Sequence, residues 1–274
     1  MARFAYCIAL LLFLHASSVA AEQQAPYSVG VLNQQSVIAT AELWNPLLDY
    51  LGKKTGSKFT LAIGNTVQET DSMTAHGDFD LVYTNHIFSM PIERDYRVLV
   101  QWGGEALAGA IVSTKPMRLA DLGGKTIAFP SPDAFAATVI TWGQLAQEKI
   151  RFTPHFAGSQ EGCLAALSKG LVDAASVTPR FALPYSEKNH LTLHTVYQSG
   201  GFPQIPLLAH KKRIPAALAQ KITDVLLNMS RDVEGSNLLE TLKIPPFKAV
   251  NERSYDAVRM LYADWHQSQG RNTQ

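Results

Sequence analysis

Short apolar runs alternate with helical patterns almost throughout the chain, and that alternation admits few architectures other than an α/β fold with mainly parallel strands. Tyr27 to Leu32, Phe59 to Ile63, Leu81 to Tyr83, Val98 to Trp102 and Ala110 to Ser113 read as strands, with helices at Glu42 to Gly52 and Val67 to Ala75 between them. Leu43, Leu47, Leu48 and Leu51 fall at helical spacing and form a buried stripe. A second block opens near Lys115-Pro116, where Asp121-Leu122-Gly123-Gly124-Lys125 makes a turn before a strand at Thr126 to Phe129. Helices at Ala134 to Gln147 and Gly162 to Lys169 then alternate with strands near His155-Phe156, at Ala174 to Thr178 and at Leu191 to Tyr197. From Pro206 onward the pattern is mostly helical, over Pro215 to Met229, Val233 to Leu242 and Ser254 to Trp265, and this tail is expected to pack on the first block.

Two α/β lobes joined by crossovers near 103–116 and 198–206 fit this spacing. The division expected is 22–105 and 203–274 for the first lobe and 106–202 for the second, with a ligand cleft between lobes near the carboxyl ends of parallel strands. Mixed, mainly parallel sheets flanked by helices are the fold class that follows.

The first residues are read apart. Arg3 precedes an apolar run, Ile8 to Leu14, and then the small residues Ala16 to Ala21, the pattern of a cleavable secretory signal spanning 1–21 with cleavage after Ala20 or Ala21. The run is shorter than a membrane-spanning helix requires. Cys7 lies inside it, so the lipoprotein arrangement is absent. Removing residues 1–21 takes away Arg3 and no acid, which leaves 23 basic against 23 acidic residues and Cys163 as the only cysteine. Balanced charge argues against nucleic acid or an anionic membrane as partner. A periplasmic or equivalent exported compartment is expected, and a core without a disulfide.

Motifs for bond chemistry fail in turn. Gly124-Lys125-Thr126 lacks the first glycine of a phosphate loop, because Leu119 stands there, and a strand rather than a helix follows. Ala157-Gly158-Ser159-Gln160-Glu161-Gly162 lacks nucleophile-elbow spacing. His76, His86, His155, His190, His194, His210 and His266 are scattered in no ligand motif, so no metal site and no cofactor is indicated. Cys163 sits on an apolar pattern and reads as a buried small residue. Non-enzymatic binding is therefore the leading reading; an enzyme using Cys163 or Ser159 would require a base such as His155 within reach.

What does recur is strand, short polar loop, helix, at Ser36 to Thr40, Thr84-Asn85, Ser131-Pro132-Asp133 and Ser159-Gln160. Each could aim backbone N–H groups at the cleft, which suits an anionic or strongly polar ligand. Each serine or aspartate could equally cap its own helix.

The order of landmarks resembles the phosphate/phosphite/phosphonate substrate-binding proteins of ABC importers. These landmarks are Trp44-Asn45-Pro46-Leu47-Leu48-Asp49-Tyr50-Leu51, Gly77-Asp78-Phe79-Asp80-Leu81-Val82-Tyr83 and Leu119 to Phe129, followed by Gly158-Ser159-Gln160, Ala165 to Ala175 and Tyr255-Asp256-Ala257-Val258-Arg259. The resemblance implies a two-lobed type II periplasmic binding protein, and a monomer that closes on a small ligand and delivers it to a membrane permease. The alternative is a sensing component that signals to a two-component histidine kinase. It also implies contacts at Tyr83, in the loop holding Ser131 and Asp133, and at Gln160, where the family has histidine. Thr178 and Arg180 lie where the family presents ligand-contacting groups, and a guanidinium can pair an oxyanion bidentately. Thr84, Asn85 and Ser159 complete the expected set. Few hydroxyls and an added carboxylate at 131–133 depart from the family pattern, so Asp133 would repel a phosphonate unless it turned away to cap its helix. Asp78 and Asp80 are expected to be structural.

Overall fold

The computed structural model describes residues 25–32, 36–64 and 66–272; the expected signal segment lies outside them. Ten strands form two five-stranded sheets: β1 (Tyr27–Val31), β2 (Phe59–Leu61), β3 (Leu81–Tyr83), β4 (Tyr96–Gln101), β5 (Ala110–Ser113), β6 (Thr126–Phe129), β7 (Thr153–Phe156), β8 (Ala174–Val177), β9 (His194–Gln198) and β10 (Pro206–His210). The first sheet has the order β2-β1-β3-β10-β4 and the second β7-β6-β8-β5-β9. In the first, β10 runs antiparallel to both neighbours; in the second, β5 does the same. Eight α-helices accompany them among the described residues: α1 (Val37–Thr55), α2 (Val67–His76), α3 (Thr141–Gln147), α4 (Gln160–Ser168), α5 (Pro179–Asn189), α6 (Ala216–Leu227), α7 (Val233–Leu242) and α8 (Asp256–Asn272).

Strand β10 was not among the expected strands. Its sequence Pro206-Leu207-Leu208-Ala209-His210 is buried at every position, and a strand covered on both faces shows no polar alternation to mark it. Its side chains still alternate: Leu207 and Ala209 join the core beneath α1, α6 and α7, while Leu208 faces the opposite core with Val82 and Phe79. Helix α5 was also missed, because Pro179 and Pro184 interrupt a stretch with only Ala182 buried.

The C-terminal tail divides. Helices α6 and α7 pack on α1, as expected for the first lobe, whereas α8 lies across the lobe junction. Tyr262 stacks on Phe135 at 5.4 Å and Trp265 meets Trp142 edge-on at 5.0 Å, so the second lobe shares this apolar seam. The two crossovers pair with each other at the Leu107–Phe202 bridge and through Ser199, whose hydroxyl accepts from the Gly109 N–H. Gly109 is required there, since a Cβ would stand 2.0 Å from the Ala136 carbonyl oxygen.

Candidate functional site

Three polar loops leave the carboxyl ends of parallel strands: 84–85 after β3, 130–134 after β6 and 178 after β8. In open α/β sheets this is where ligands are held. The first lobe supplies a buried aromatic wall. Tyr83 packs against Trp44 at 4.9 Å and Trp102 at 5.3 Å, and Trp102 meets Phe247 at 5.1 Å. Burial raises the Tyr83 phenol above its ordinary pKa, and Tyr255 adds to this; the Arg180 charge acts in the opposite direction. Arg180, on the first turn of α5 in the second lobe, is therefore within electrostatic range of Tyr83 in the first. It is exposed and has no ion-pair partner among the described residues.

Beside Arg180, the Gln160 Oε1 accepts from both the Thr178 backbone N–H (2.7 Å) and the Thr178 hydroxyl (2.9 Å). These bonds fix the amide orientation and leave the Gln160 Nε2 donors without a protein partner among the described residues. Gln160, Thr178 and Arg180 are thus brought near one another by the end of β8 and the starts of α4 and α5, with the Arg180 charge felt at Tyr83. The combination offers one cation and neutral donors, a chemistry matched to a small oxyanion.

The remaining expected residues make the following contacts within the protein. The Ser159 hydroxyl caps α4 by accepting from the Gly162 N–H, and Ser36 caps α1 through the Ala39 N–H. Thr84 is buried and its hydroxyl accepts from the His86 N–H, which fixes the turn after β3. The Asn85 Oδ1 is buried with no partner. Neither Ser131 nor Asp133 caps the following helix, whose entry residue Ala134 has no side-chain cap. The Ser131 carbonyl accepts instead from the Thr138 hydroxyl at 2.6 Å. Asp133 does turn aside, toward Asp71 on α2 and His86 in the first lobe, with one ligand atom of each lying within 4.8 Å of the others. No local motif links residues so far apart in sequence, so Asp71 and the role of His86 were not legible. Asp80 is structural: its Oδ2 accepts from the Ser28 N–H and hydroxyl, and its Oδ1 pairs with Arg213.

Cys163 is fully buried in the second lobe and burial pushes its thiol up to about 12, far from a reactive thiolate. His155 is exposed on β7.

The sequence model of a family described as an ABC transporter, phosphonate, periplasmic substrate-binding protein matches residues 29–255. The chain belongs to this family. None of the curated proteins is similar enough in sequence to match it. Among solved structures, PhnD1 from Prochlorococcus marinus (MIT 9301) in complex with methylphosphonate is similar, with a TM-score of 0.70 at 14% identity over 88% of this chain and 98% of that one. A binding protein component of an ABC phosphonate transporter from Pseudomonas aeruginosa gives 0.67 at 16% identity, covering 90% and 88%. The periplasmic aliphatic sulphonate binding protein SsuA from Escherichia coli gives 0.58 at 18%, covering 89% and 87%. At such identities the likeness establishes the type II periplasmic binding protein fold, and the residues of this chain must speak for the ligand.

Proposed function

We propose that the protein is an exported solute-binding component of an ABC importer that captures a small oxyanion between its lobes, without catalysing a reaction. Arg180 carries this reading: a guanidinium free of protein carboxylates, beside the oriented Gln160–Thr178 pair and facing Tyr83. Closure would carry these groups toward the aromatic wall and present a closed surface to the permease, a population shift in which ligand supplies the differential binding energy. The acidic character of Asp133 does not oppose this, since its carboxylate lies beside Asp71 and His86 rather than in the Gln160–Thr178–Arg180 group. The chain is expected to act as a monomer in the periplasm after cleavage following Ala20 or Ala21.

Thermal unfolding in the presence of phosphate, phosphite, methylphosphonate, an alkanesulfonate, carboxylates and amino acids tests the ligand class. Ligand at 100 times its dissociation constant adds about 2.7 kcal/mol of stability, which raises the midpoint of a chain this size by roughly 5–10 °C. A shift confined to one oxyanion class is the expected result. Shifts only with cationic or uncharged compounds would overturn the reading.

A further inference from the structure

Two carboxylates and an imidazole meet at the junction. Asp71 comes from α2, His86 from the turn after β3 and Asp133 from the loop after β6, so two elements of the first lobe and one of the second converge. His86 Nδ1 lies 3.2 Å from each Asp71 carboxylate oxygen. Asp133 has no hydrogen-bond or ion-pair partner among the described residues. A cavity of ≈ 490 Å³ opens beside the cluster, lined by Gln68, Asp71, Ser72 and Asp133 among others, and no basic side chain lines it.

A second feature points to a missing group here. Tyr262 of α8 is 4% exposed, and its hydroxyl is buried with no partner among the described residues. Its ring lies edge-on to His86 at 6.4 Å, and the Asp71 and Asp133 charges both act on its phenol. The station therefore holds two carboxylates from opposite lobes, an imidazole and an unpartnered phenol, with no lysine or arginine paired to the acids among the described residues.

We propose that Asp71, His86 and Asp133 form a divalent-cation site of the zinc type that ties the two lobes together. One imidazole with two carboxylates is a ligand set that suits Zn²⁺, with water in the remaining position. Bonds of about 2.0–2.2 Å would set tetrahedral ligand atoms roughly 3.3–3.6 Å apart, tighter than the 4.8 Å envelope found. Binding would thus draw Asp133 toward the first lobe. The Tyr262 hydroxyl, which makes no hydrogen bond among the described residues, would then donate to a ligating carboxylate, the outer-shell hydrogen bond such ligands usually have. This site shares no residue with the Arg180 station and does not rest on the oxyanion reading.

Titration calorimetry of the chelator-treated protein with ZnCl₂ tests it. One saturable site is expected, weakened at least tenfold by Asp133→Asn and unaffected by Arg180→Ala. Because Asp133 has no partner to lose, Asp133→Asn should leave the metal-free thermal midpoint unchanged or higher. Zinc-edge X-ray absorption of the loaded protein should show one imidazole in an oxygen-dominated shell. Absence of saturable binding, equal affinity in Asp133→Asn, or a shell with no imidazole would overturn the proposal.

Discussion

The two lobes order their strands alike, each inserting one antiparallel strand among parallel ones, yet they furnish the cleft with different materials. The first lobe offers Tyr83, Trp44 and Trp102, whose mutual packing is complete. The second offers Gln160, Thr178 and Arg180, polar groups with capacity left over. The aromatic wall is held by the same contacts that fold the lobe, so it is preformed. In the proposed reading the polar wall keeps its unused hydrogen-bonding capacity for a ligand, as a preorganised binding surface does.

That contrast can be broken most severely in the first lobe. Trp44 is 3% exposed, and Trp44→Ala should cost about 3–5 kcal/mol of stability by denaturant unfolding. Phe156, an aromatic of the second lobe that is 44% exposed, should tolerate Phe156→Ala with a loss of only about 0.5 kcal/mol. Equal losses would show that the first lobe's wall is not the better packed of the two. A smaller effect sharpens the polar side: Ser159→Ala removes the α4 cap and should cost about 1 kcal/mol while leaving anion affinity unchanged. A loss of affinity without loss of stability would instead make Ser159 a ligand contact.

The smallest expected effect is a pH slope belonging to the first lobe. Burial, reinforced by the nearby Arg213 guanidinium, lowers the His210 pKa below its ordinary value, and its Nδ1 accepts from the Lys212 N–H as a neutral ring does. The unfolded chain therefore binds this proton more readily than the fold. Its contribution is fully present above the unfolded pKa of about 6.5 and is lost as pH falls through that value toward the folded one. Thermal midpoints measured from pH 7.5 to 5 should decline less steeply in His210→Gln; an unchanged slope would remove His210 from the account.

Much of the fold was legible because its cues are local. Leu81–Tyr83, Ala110–Ser113 and Thr126–Phe129 are strands with the bounds their apolar runs suggest, and Val233–Leu242 is a helix with the bounds its periodicity gives. Strand β10 was hidden because burial on both faces erases alternation, and α5 because two prolines mask a helix that starts on one of them. The tail's division between α6–α7 and α8 depends on Phe135 and Trp142, aromatic partners supplied by the other lobe. Of the proposed site, Tyr83, Gln160, Thr178 and Arg180 were reachable because each ends or follows a strand or opens a helix. The meeting of Asp71, His86 and Asp133 was not, since they come from three segments far apart in sequence and no local pattern links them.

The central claim is that Arg180 holds an oxyanion against the first lobe. Calorimetric titration of the protein and of Arg180→Ala, with phosphate, methylphosphonate and an alkanesulfonate in turn, tests it most directly. The account predicts that at least one of these binds the unaltered protein and binds Arg180→Ala at least tenfold more weakly, about 1.4 kcal/mol, with the thermal midpoint of the free protein unchanged. An oxyanion that binds both proteins equally would contradict it.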